Sequence, residues 1–153
     1  MTNHDHLAER LRTSIAGLVR TTRARADSLP PPLAQTLGLL DREGEASIAL
    51  LAQRRGVRHQ SQSRTVKDLE DLGYARRDAN PRDARGVVIA LTPEGRAALD
   101  RDREARRDWL ATAIAATLTP AEQDRLAELP ALLDRLTAHA DPPPDPPRGR
   151  RSE

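Results

Sequence analysis

The feature that most constrains this chain is a change of period at Gly73. Before it, Val66, Leu69 and Leu72 recur at helical spacing, so a helix is expected from about 59 to 72 with those residues on its inner side. After it, Tyr74-Ala75-Arg76-Arg77 and Gly86-Val87-Val88-Ile89-Ala90-Leu91 read as two strands, the second strongly β-branched. The segment between them, Asp78 to Arg85, is rich in turn formers and charge. Upstream, Ser47-Ile48 leads into a short helix, Ala49 to Arg55, closed by Gly56. Two short helices across a tight glycine turn make a helix-turn-helix, and the hairpin attached to it, about 74–91, makes a wing.

The outward side of the 59–72 helix carries Gln60, Arg64 and Lys67 at i, i+4 and i+7. An amide and two cations are the groups that hydrogen-bond purine edges and phosphates in a DNA groove. No acid occurs between Glu45 and Asp68, whereas Arg54, Arg55, Arg58, Arg64 and Lys67 all fall in that interval. Asp68, Glu70 and Asp71 are confined to the far end of the helix. A helix basic where it would enter a groove and acidic where it would leave suits a recognition helix. The bland alternative is a solvated amphipathic helix. Formal net charge is only +2, so the distribution of charge carries this argument rather than its total.

The flanks are helical. Leu7, Leu11, Ile15 and Leu18 space an amphipathic helix from His4 to about Ala26, and Leu29-Pro-Pro-Pro32 breaks it. Leu33, Leu37 and Leu40 belong to a second helix, expected to stop at a left-handed cap at Gly44. Thr92-Pro93-Glu94 starts a helix running to about Leu118. Its middle, Asp100 to Asp108, lacks large apolar residues and is expected to be solvated and to bridge two parts of the molecule. Thr119-Pro-Ala-Glu122 is a capping box opening a last helix that Pro130 should kink. From Asp141 the Pro/Arg-rich tail reads as disordered. The first and last helices have wide leucine faces with nothing evident to cover them. They are expected to form a homodimer interface through Leu7, Leu11, Ile15, Leu126, Leu129, Leu133 and Leu136.

With these motifs in view, the chain resembles the MarR family of winged helix-turn-helix regulators, over about Leu29 to Leu136. The most specific stretch is Asp83-Ala-Arg85-Gly86-Val-Val-Ile-Ala-Leu91-Thr92-Pro93-Glu94-Gly95, similar to the family's wing signature. Next is Val57 to Gly73, similar to its recognition helix with the Leu-Glu-x-x-Gly ending. The resemblance implies a mainly α (α+β) fold: a dimerisation helix at 1–28, a winged helix-turn-helix lobe at 29–92, a linker helix and dimerisation helix at 93–140, and the tail at 141–153. It implies double-stranded DNA as partner. Arg58, His59, Gln60, Ser61, Ser63, Arg64 and Lys67 would meet the major groove or its phosphates. Arg82 and Arg85 would lie on the wing, Arg85 in the minor groove, with Asp83 holding the wing in shape. On this resemblance the chain is expected to be a dimeric regulator, a repressor, acting on an inverted-repeat operator.

Two positions depart from the family pattern. Arg58 and His59 stand where Ser or Thr and then Pro are usual, so the recognition helix should lack a side-chain N-cap. Gln62 stands on the Val66 and Leu69 side where an apolar residue is usual. It is therefore either partly buried against a partner or evidence of a rotated helix.

The resemblance also implies a small-molecule effector between the DNA-binding lobe and the dimer helices. Tyr74 and Trp109 are the only aromatics, so a stacking pocket for phenolic ligands is hard to build, and an apolar ligand or no ligand at all remains open. Without cysteine there is no oxidation sensor, disulfide or thiolate metal site, and no cofactor is expected. An enzyme is not expected: no phosphate loop, Gly-x-Ser-x-Gly or cysteine nucleophile is present, and the acid pairs Asp41/Glu43 and Glu70/Asp71 read as solvated faces. His4-Asp5-His6 reads as a frayed terminus rather than a metal site. No membrane span or secretion signal is evident, and the cytoplasm is the expected compartment. The competing function is a winged helix used for protein–protein contact, without specific DNA affinity.

Overall fold

The computed structural model describes residues 2–81, 83 and 86–139, so the 141–153 tail lies outside the described residues. The elements run α1 (Asn3–Ala26), α2 (Pro31–Glu43), α3 (Ile48–Arg55), α4 (His59–Asp71), β1 (Ala75–Ala79), β2 (Val87–Leu91), α5 (Pro93–Thr117), α6 (Pro120–Ala127) and α7 (Leu129–Ala138). The chain divides into two units, Met1–Ala111 and Thr112–Glu153. The first is a mainly helical winged helix, its strands paired antiparallel from Ala75 opposite Leu91 to Ala79 opposite Val87.

Its core is aliphatic. Leu33, Leu37 and Leu40 of α2, spaced i, i+4 and i+7, pack with Leu51 of α3, Val66 and Leu69 of α4, Ile89 of β2 and Leu99 of α5. Each leucine so buried stabilises the fold by about 1.5–3 kcal/mol. Ala46, just ahead of α3, exchanges both backbone hydrogen bonds with Ile89, at 3.1 and 2.8 Å. The hairpin is thereby tied to the start of α3 as well as to α4.

Turns are set by local chemistry. The Ser47 side chain accepts from Leu50 N and caps α3, and Gly56 ends it in a left-handed conformation at φ 62°. Gly73 (φ 73°) ends α4, with Tyr74 N donating to Leu69 O at 2.8 Å. Gly44 has positive φ but ψ −167°, so it is an extended mirror-region turn and not the left-handed cap expected there. Thr92 has two roles. Its hydroxyl accepts from Gly95 N at 3.0 Å, capping α5, and donates to Gly73 O at 2.6 Å. Gly95 is needed for this closure, because a Cβ there would stand 2.0 Å from Tyr74 O.

Four further expectations need correction. Leu72 does not share the inner side of α4 with Val66 and Leu69, because the helix has given way to its cap by then, and it is 51% exposed. The middle of α5 is not wholly solvated: Asp102 is fully buried. Its Oδ1 accepts from Ser28 N at 2.8 Å, Ser28 Oγ at 3.1 Å and Leu29 N at 3.0 Å, and its Oδ2 accepts from Arg106. Arg106 also donates to Asp27 at 2.7 Å. Four donors compensate the carboxylate's desolvation, which an apolar-periodicity reading cannot register.

Asp41 is likewise no solvated face: its side chain is 13% exposed and bridges Arg96 and Arg103 of α5. Finally, Pro130 accompanies a division of the last helix rather than a kink, with Glu128 between α6 and α7 and Pro130 in the first turn of α7. The α6 box is as the sequence suggests, Thr119 N donating to Glu122 Oε2 at 2.8 Å.

Candidate nucleic-acid interface

The α4 helix sorts its residues into two faces. Gln62, Thr65, Val66 and Leu69 are buried, while Arg58, His59, Gln60, Ser61, Arg64 and Lys67 are exposed and Ser63 is half-buried. The exposed side is therefore free of carboxylates through Lys67. Arg58 caps α4 without a side-chain hydrogen bond, leaving the first-turn N–H groups uncapped at the positive end of the dipole. His59 and Ser63 approach each other one turn apart, Nδ1 to Oγ 3.4 Å. The acids at the far end are engaged: Asp71 accepts from Lys67 at 2.8 Å, and Glu70 accepts from Arg77 of β1 at 2.9 Å. The Asp71 carboxylate raises the Lys67 pKa, keeping it cationic.

Gln62 resolves the alternative left open by its polarity. It is fully buried, its Nε2 donating to Thr36 Oγ1 at 3.2 Å and its Oε1 accepting from Arg55 Nη1 at 2.5 Å. The helix is seated, with a polar peg at its centre.

On the wing, Asp83 N donates to Asn80 O at 3.2 Å and Gly86 N donates to Asp83 O at 2.9 Å. The Asp83 side chain is exposed. Arg82 and Arg85 lie outside the described residues. In β1, Arg76 is paired with Asp78 at 2.9 Å. Among the dimer candidates, α1 has no buried residue; Leu7 is 61% exposed, Ile15 is exposed and Leu11 half-buried. In the second unit Leu126, Leu129 and Leu133 are half-buried and Leu136 is exposed.

The MarR family model matches residues 27–86, from the α1–α2 junction to the wing tip. An HTH-type transcriptional regulator of Mycobacterium tuberculosis is 35% identical over 122 residues, covering 78% of this chain and 85% of its own length. The chain belongs to the MarR family.

A second relative, an uncharacterized HTH-type transcriptional regulator of Mycobacterium leprae, is 33% identical over 106 residues, 68% of this chain and 74% of its own. Among solved structures, a protein of Pseudomonas aeruginosa PA01 described as a candidate transcriptional regulator superposes with TM-score 0.77 at 32% identity, over 90% of this chain and 98% of that one. Escherichia coli MarR in its apo form shares the fold with TM-score 0.65 at 20% identity, over 89% and 98%. MarR regulators are DNA-binding proteins without enzymatic activity. Among the described residues no helix is long and apolar enough to cross a membrane, and no cluster of three metal-ligating side chains occurs.

For this MarR protein, linear reading missed a second cationic feature. The run of basic residues around α3 and α4 divides in space: Arg58, Arg64 and Lys67 stay on the exposed face of α4, whereas Arg54 and Arg55 turn into a cleft of about 470 Å³. Arg23, Arg42, Arg103 and Arg106 line it too, with Asp27 the one acidic lining residue among the described residues. Arg54 is paired with Glu43, Arg103 with Asp41 and Arg106 with Asp27 and Asp102, while Arg23 and Arg42 make no ion pair among the described residues. Among the described residues Arg55 has only neutral acceptors, Gln62 and Gln35, and burial pushes its pKa down. No spacing rule could have assembled this cleft, because its arginines come from four helices.

Proposed function

We propose that this MarR protein is a homodimeric, sequence-specific repressor whose α4 enters the major groove of an inverted-repeat operator. The observation that carries the reading is the exposed, carboxylate-free face of α4 from Arg58 to Lys67. Arg64 and Gln60 read base edges, Arg58, His59, Ser61 and Ser63 meet the backbone near the uncapped first turn, and Lys67 adds a phosphate contact. Arg85 occupies the minor groove and Arg82 its flanking phosphates, with Asp83 shaping the turn that presents them. Helix α1 pairs with its copy through Leu7, Leu11 and Ile15, and the C-terminal helices do so through Leu126, Leu129, Leu133 and Leu136. The cleft's arginines favour an effector bearing oxyanions over an apolar one, since Arg forks match carboxylate and phosphate geometry. The site of action is the cytoplasm, where the operator is.

Fluorescence anisotropy on the DNA upstream of the protein's own gene, beside a scrambled duplex at two salt concentrations, tests this. The native duplex alone should bind, more weakly as salt rises. Arg64→Ala should weaken operator binding by about 1–3 kcal/mol. An Arg64→Ala protein that binds the operator unchanged would remove α4 from the role assigned to it. A monomer by light scattering at micromolar concentration would remove the dimer.

A further inference from the structure

We infer that Gln62, anchored by Thr36 on one side and Arg55 on the other, sets the roll of α4 about its own axis and with it the base specificity of the DNA contact. This rests on the DNA-binding reading of α4 and adds what aims its side chains.

Most of what seats α4 is non-directional. Val66 and Leu69 pack in the aliphatic core and fix the depth of the helix, but apolar contacts tolerate small rotations. Thr65 is buried too, yet its hydroxyl donates within the helix, to Ser61 O at 3.1 Å. The ion pair of Glu70 with Arg77 of β1 holds only the far end, at the surface, where such pairs contribute little. Among the described residues Gln62 is the one α4 side chain hydrogen-bonded to another helix. Its Nε2 donates to Thr36 Oγ1 of α2 at 3.2 Å, and its Oε1 accepts from Arg55 Nη1 of α3 at 2.5 Å. Two directional bonds to two helices resist rotation either way.

An aliphatic residue at 62 would bury the same face more simply. The chain instead keeps an amide with no exposed surface and an arginine whose acceptors, Gln62 and Gln35, are both neutral. The buried Nε of that arginine has no hydrogen-bond partner among the described residues. Groups withdrawn from water in this way cost stability, so what the glutamine adds is orientation.

Gln62 also stands on the axis along which α4 would read. At about 100° per residue, Gln60 and Arg64 straddle the direction opposite Gln62, each about 20° from it. Both are exposed. Side-chain ends stand about 5–6 Å from a helix axis, so a roll of about 20° carries them about 2 Å. A base-edge hydrogen bond, confined to about 2.7–3.2 Å, does not survive that displacement. Attraction between a long flexible cation and the phosphates does. Gln62 is thus a positioning residue, and loosening it removes sequence discrimination while leaving electrostatic affinity in place.

The test uses the full chain in a salt series, on the duplex upstream of its own gene and on a scrambled one. Gln62→Met should lower the ratio of the two affinities by about fivefold or more, the low end of what one bidentate base contact supplies. Affinity for the scrambled duplex and the salt slope should stay as in the wild type. Arg55→Met should behave the same way. A merely structural loss reduces the folded fraction and weakens both duplexes alike, so an unchanged ratio in Gln62→Met overturns the assignment. So does an Arg55→Met protein whose salt slope falls by about 0.9, because Arg55 would then be a phosphate contact and not a support for Gln62. Residual dipolar couplings of the α4 amides report the roll of the helix against α2 and α3 without any DNA. They should fit one roll in the wild type and depart from it in Gln62→Met, and identical couplings would also overturn the assignment. A wild type that does not discriminate the duplexes, with couplings that change in Gln62→Met, would count against the DNA reading and leave the control of roll standing.

Discussion

Gln62 Nε2 donates to Thr36 Oγ1 across 3.2 Å, with both residues closed to solvent. The bond joins α2 to the recognition helix, and the Thr36 hydroxyl donates in turn to Pro32 O at 2.9 Å. Thr36→Val therefore strands a buried amide donor and should cost about 1–3 kcal/mol. Adding Gln62→Met removes the stranded amide and should recover part of that, the remainder being the acceptor that Arg55 Nη1 loses. Urea unfolding of the two single variants and the double variant measures the coupling. Strictly additive losses would mean the bond contributes nothing of its own.

The buried Asp102 holds the junction between α1 and α2 against α5. Asp102→Ala removes the acceptor for Ser28 and Leu29 and leaves Arg106 with Asp27 alone, so a loss of about 3–5 kcal/mol is expected. Asp102→Asn keeps an oxygen for the two backbone amides and should lose less. Equal losses in the two variants, read from thermal or urea unfolding, would show that those amide contacts are unimportant.

Gly95 lies where the first turn of α5 meets the backbone of Tyr74, with no room for a side chain. Gly95→Ala should separate α5 from the foot of the wing and destabilise the fold by about 4 kcal/mol or more, the range reserved for severe steric or core defects. A variant that melts with the wild type would show that the closure yields easily.

Asp41 gives the acid limb of the stability profile a specific cause. The hydrogen bond from Arg103, followed by the charges of Arg96 and Arg103, outweighs burial and holds its pKa below the ordinary 3.8. Because the folded value is the lower one, the contribution is fully present above the unfolded pKa and is lost as pH falls through the folded value. Unfolding midpoints should therefore decline below about pH 4 in the wild type and less steeply in Asp41→Asn. Parallel acid limbs in the two proteins would assign the decline to other carboxylates.

Much of the architecture was legible in the chain because it rests on short-range chemistry. The helical spacing of Leu33, Leu37 and Leu40, the glycine stops at Gly56 and Gly73, the β-branched run before Leu91 and the Thr92 cap each act within a few residues. The exposed face of α4 was legible too, since one helix fixes which of its own side chains share a side. Errors arose where the local rule was incomplete: Leu72 obeys the helical period but belongs to a cap, and Gly44 has positive φ without being left-handed.

The sequence by itself thus determined the order of elements, the period of each and the amphipathic sorting of α4, all of which follow from backbone geometry and nearest-neighbour sterics. Only the tertiary structure decided which polar groups were withdrawn from water. Asp102 finds its donors at Ser28 and Leu29, Asp41 finds Arg96 and Arg103, and Gln62 finds Thr36 on one side and Arg55 on the other. These pairs join residues on different elements, up to 74 positions apart. A buried charge or amide is tolerated only where packing brings its partners to it, and that condition is not written at any one position of the chain.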